Sequence, residues 1–127
     1  MSVRMTALAH FCNTLVAFFE DLSETYPEEG NLSKATQTLK LAKQANPRLV
    51  HSMFMEHVYD QAGQQILNED EDFLIAKAQE KMLNKKKSQL ASAYWIFEKH
   101  WATMTETNKQ HVWRYIKTIV LLAARVP

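Results

Sequence analysis

Two glycines and three prolines in 127 residues are too few for the dense chain reversals of a β-sandwich or barrel. A chain so poor in turn residues reads as long helices joined by short connections. One cysteine, Cys12, excludes an internal disulfide and points to a reducing compartment. No run of 18 apolar residues occurs, so the sequence offers no membrane span. The N-terminus also lacks the continuous apolar stretch of a signal peptide, because Phe18-Phe19 is followed at once by Glu20-Asp21. Ser2 after Met1 leaves no myristoylation motif. These features predict an intracellular protein that is not secreted.

Apolar residues are plentiful, at 46% of the chain. That content argues against disorder and for one helical domain over residues 1–127. Net charge is only +1, yet it is unevenly spread. Residues 1–72 carry 5 Lys/Arg and 11 Asp/Glu, a balance of −6, while residues 73–127 carry 10 and 3, a balance of +7. Two readings follow. The halves neutralise one another inside the fold, or they form opposite poles that attract a partner or a second copy head to tail.

Helical periodicity predicts an all-α, compact bundle of five or six helices. The first covers about 3–25, with Leu8, Phe11, Cys12, Leu15, Phe18, Phe19 and Leu22 on one stripe. Tyr26-Pro27 and Gly30 end it. A second helix covers about 32–45, capped by Asn31 or Ser33, and Asn46-Pro47 opens a third. Gly63 is a candidate kink or end of that third helix. The acidic run Asn68-Glu69-Asp70-Glu71-Asp72 suits the start of a short fourth helix. A fifth starts near Ser88, with Leu90, Tyr94, Phe97, Trp101 and Met104 on its stripe. The sixth follows Thr105 or Thr107 and is expected to pair antiparallel with the fifth. Phe11, Leu15, Phe18, Phe97, Trp101, Ile116 and Ile119 are the predicted core.

Catalytic and metal motifs do not assemble in the sequence. An EF-hand loop begun at Asn68 places Asp70 and Asp72 correctly, but has Phe73 where Gly is needed and Gln79 where Glu is needed. The histidines at 10, 51, 57, 100 and 111 show no zincin spacing. Cys12 lies within an apolar stripe, and two glycines cannot form a phosphate loop. The sequence therefore predicts no catalytic residue, no metal and no cofactor.

Partner binding is the remaining class. Lys85, Lys86, Lys87 and Arg114 are candidate contact residues on the basic half, with Trp95 and Trp113 as candidate interface anchors. The same lysines keep a nucleic-acid reading open.

The segment Ile66-Leu67-Asn68-Glu69-Asp70-Glu71-Asp72-Phe73, then Trp101, then Asn108-Lys109-Gln110-His111-Val112-Trp113-Arg114-Tyr115-Ile116 carries a resemblance. In this layout the chain resembles short helical proteins encoded by nucleocytoplasmic large DNA viruses of algae and protists. Those have an acid-plus-Phe segment and a closing Lys-x-x-(Val/Ile)-Trp-x-Tyr helix. The resemblance implies a small virion or assembly component, found in host cytoplasm, virus factory or virion, and assigns no catalytic residue. A regulatory adaptor that binds a host protein is the alternative.

Overall fold

A computed structural model describes residues 6–83 and 91–127, without the side chains at 81–83, 91–93 and 95. Within them the chain is all helical: α1 (Ala7–Thr25), α2 (Gly30–Ala45), α3 (Pro47–Phe54), α4 (Asp60–Leu67), α5 (Glu71–Leu83), α6 (Ala91–Lys99) and α7 (Glu106–Arg125). A π turn at Met55–Tyr59 joins α3 and α4 into one continuous rod, and a 3₁₀ turn at Trp101–Thr103 follows α6. Counting the rod once gives six helices among the described residues, as the periodicity predicts.

Local chemistry explains most boundaries. Thr6 caps α1 by accepting the Ala9 N–H at 3.0 Å. Asn46 caps α3 by accepting from Leu49, with Pro47 in the first turn. Thr105 caps α7 through the Asn108 N–H. Each hydroxyl or amide oxygen satisfies an amide that the helix itself leaves without an acceptor. The acidic run works the same way. Glu69 takes a left-handed conformation at φ 54°, and Asp70 accepts from Phe73 to open α5.

Three features differ from the sequence expectation. The fifth helix, expected to carry Trp101 and Met104 on its stripe, ends at Lys99, while its expected start near Ser88 and Leu90 lies outside the described residues. α2 begins at Gly30 rather than Leu32, and neither Asn31 nor Ser33 caps it. Glu29 stands at its cap position, but its carboxylate is turned toward Lys99 and His100 instead. Gly63 neither kinks nor ends the third helix. The irregularity lies a turn earlier, at the π turn, where two side chains bond backbone carbonyls. Gln61 Nε2 donates to Glu56 O at 3.2 Å, and Tyr94 Oη donates to His57 O at 3.1 Å.

Gly63 is therefore an ordinary helix-interior glycine. A Cβ there would meet the Tyr59 ring at 3.6 Å, a normal van der Waals distance. Gly63→Ala should raise stability by about 0.5–1 kcal/mol, read as a higher urea midpoint, because alanine has less backbone freedom to lose. A lower midpoint would show that the Tyr59 ring cannot accept the methyl group.

One core draws on every helix, from Phe11 and Phe19 on α1 to Leu74 on α5, Ile96 on α6 and Ile119 on α7. All the predicted core residues are buried except Ile116, which is only partly covered. The expected α6–α7 hairpin is absent: α6 lies along α5, while α7 packs on α1 and α4. The 3₁₀ turn and the extended Met104 and Thr105 redirect the chain between them. Aromatic side chains bridge that gap, with Phe97 and Trp113 ring centroids 5.7 Å apart and Trp101 and Trp113 5.2 Å apart.

Candidate interaction surface

The two halves of opposite charge are stitched together by ion pairs. Lys99 reaches Glu29 at 2.5 Å, Lys117 reaches Glu69 at 2.6 Å and Lys109 reaches Glu71 at 3.7 Å. His111 contacts Asp21 at 3.0 Å. Each pair is exposed enough to add little stability. Their consequence is electrostatic: the basic half meets the acidic half within the fold. Lys99, Lys109 and Lys117 are thereby paired within the chain, while Lys85, Lys86 and Lys87 lie outside the described residues.

The titratable groups inside the bundle serve packing. Cys12 is buried with Sγ 3.8 Å from Pro47 O, and burial pushes its thiol pKa up. A raised pKa disfavours the nucleophilic thiolate. His51 Nε2 contacts Ala123 O at 3.0 Å and ties α3 to α7.

The one convergence of potential metal donors among the described residues is Glu28, Glu29 and His100, whose donor atoms lie within 4.8 Å of one another. The Lys99 ammonium already supplies a positive charge there, and its hydrogen bond is the main reason the Glu29 pKa is lowered. His100 stacks on Tyr26 with centroids 4.1 Å apart. The group works as a polar clasp between the α1–α2 turn and the end of α6.

The candidate contact residues have separate fates. Trp113 is corrected: it is 5% exposed and packs on Phe97 and Trp101, so it is a core residue and not a surface anchor. Its distance from the centre of the α7 stripe is made up by the aromatic cluster around it. Lys85, Lys86 and Lys87 lie outside the described residues. Trp95 lies on α6, with its side chain outside the described set. Arg114 is exposed on α7 and has no ion pair among the described residues.

Arg114 does not stand alone. Helical spacing of 3.6 residues per turn brings positions i, i+4, i+7 and i+11 onto one face. On α7 these are Arg114, Thr118, Leu121 and Arg125, all exposed. Leu121 is 52% exposed, one of three large apolar side chains so placed among the described residues. The opposite face carries Val112, Ile119, Val120 and Ala123 into the core. Sequence reading passed over Leu121 because it is one more apolar residue in an apolar helix. The available signal was its phase, on the polar side of the stripe. An open cleft of about 390 Å³ lies along α4, lined by Tyr59, Gly63 and Leu67 with Val120 of the core-facing side of α7.

No protein-family model matches this chain, and the comparisons with curated proteins and solved structures likewise found no match. No helix among the described residues is long and apolar enough to cross a membrane.

Proposed function

We propose that this chain is a non-catalytic helical protein-interaction domain that docks a partner through the outer face of α7. The observation behind it is the exposed alignment of Arg114, Leu121 and Arg125 on one side of a helix whose other side is anchored in the core. An apolar side chain flanked by arginines combines what protein interfaces use: desolvated area at the centre and directional charge at the rim. Use as a small virion or assembly component is the setting that the viral resemblance implies, and a regulatory adaptor is the alternative setting for the same face.

A photo-crosslinking amino acid at Thr118, inside the stripe, tests this in cells that express the full chain. Gln37, exposed on α2, is the control position. Discrete protein adducts at position 118 and none at position 37 are expected. Equal yields at both, or adducts to nucleic acid alone, would sink the docking role.

A further inference from the structure

We infer that the α7 face takes an acidic protein segment with one apolar side chain set between two carboxylate groups; this rests on the docking role proposed above. The spacing sets the pattern. Arg114 and Arg125 are 11 residues apart, three helical turns, which is about 16 Å at 1.5 Å per residue. Leu121 lies between them on the same exposed face. Lys99, Lys109 and Lys117 spend their charge on Glu29, Glu71 and Glu69 of the same chain. The two arginines have no such acid among the described residues, so theirs is the charge α7 offers to a partner. Arginine is always protonated and grips a carboxylate with two parallel hydrogen bonds.

The same residues weigh against two other occupants. A second copy laid antiparallel on this face, with the two-fold at mid-stripe, would set Arg114 of one chain against Arg125 of the other. A parallel pairing sets each arginine against its own counterpart. Both arrangements bring like charges together with no acid on the stripe to compensate. A nucleic-acid strand favours an unbroken row of cations. Here Leu121 interrupts the row, and Glu69 neutralises Lys117 beside it.

The test uses the full chain and a fluorescein-labelled helical peptide with glutamates eleven residues apart and one leucine between them. Anisotropy at low salt should show binding. Arg114→Glu/Arg125→Glu should weaken it at least about tenfold, since exposed charge pairs are individually modest but here are reversed in sign. Leu121→Gln should weaken it about threefold or more. A peptide with lysine in place of each glutamate should prefer the charge-reversed variant over the wild type. All three positions are on the outer face, so circular dichroism melts should stay close to those of the wild type, which separates lost binding from lost folding. Three results would each overturn the inference. One is equal peptide binding by wild type and the charge-reversed variant. Another is tighter binding of a single-stranded oligonucleotide of equal charge. The third is a wild-type dimer in sedimentation that Leu121→Gln dissociates. Protein adducts at position 118 with no preference for the acidic peptide would leave docking intact and remove the acidic partner.

Discussion

Trp101→Ala should lower the unfolding free energy by about 3–5 kcal/mol, the range for removing a large aromatic from a packed core. Trp101 is 1% exposed and sits where three elements meet. Its ring lies 4.6 Å from Phe97 and 5.2 Å from Trp113, centroid to centroid. Its indole N–H donates to Glu71 Oε1 on α5, and the Lys109 ammonium stands 5.3 Å from the ring centroid. Small domains have only about 5–15 kcal/mol of stability in total, so this loss would approach unfolding. Trp101→Phe keeps most of the apolar contact and loses the N–H, so its loss should fall well below that of alanine. Urea unfolding followed by circular dichroism measures both. A loss under about 1 kcal/mol for Trp101→Ala would contradict a packed α5–α6–α7 junction.

Stability should also fall steeply in alkali. Burial raises the pKa of Tyr94 most strongly, with Glu80 adding to it, and raises that of Cys12 against the opposing pull of Lys43. The ordinary values are 10.0 for the phenol and 9.0 for the thiol. A raised pKa in the folded state means that the unfolded chain loses its proton first. The favourable contribution is complete below the unfolded value and drains as pH rises above it toward the folded value. Each such group gives a slope of up to about 1.4 kcal/mol per pH unit. Unfolding free energies should therefore be flat near neutrality and decline above about pH 9–10. Tyr94→Phe should flatten the decline by one proton's worth. It should also lower the neutral plateau by about 1 kcal/mol, because the bond to His57 O is lost. Urea melts at neutral and alkaline pH give both numbers, and an alkaline limb that runs parallel in wild type and Tyr94→Phe would remove Tyr94 as its source.

The proposed surface was only half legible in the sequence. Arg114 could be named because a charged residue on a helix of known phase must face water. Trp113 could not be placed, because tryptophan is large, apolar and equally at home in a core or an interface. Its environment is built by Phe97 and Trp101, which approach from other segments. The charge split left two readings open for the same reason. Counting residues shows where charges fall along the chain, whereas Lys117 meets Glu69 across 48 positions. The caps at Asn46 and Thr105 were readable because a cap needs only its own next three residues.

The sequence by itself determined the helical class, the interior stripe of each long helix, the Asn46-Pro47 start of α3 and the acidic opening of α5. These rest on interactions within a few residues, which the order of the chain encodes directly. Only the tertiary structure decided that α6 lies on α5, that α7 lies on α1 and α4, and that Trp113 is inside. It also paired Lys99, Lys109 and Lys117 with acids of the other half. Those outcomes depend on which apolar faces meet and how their side chains interlock, a choice among partners distant in sequence that the helical period of any one segment does not contain.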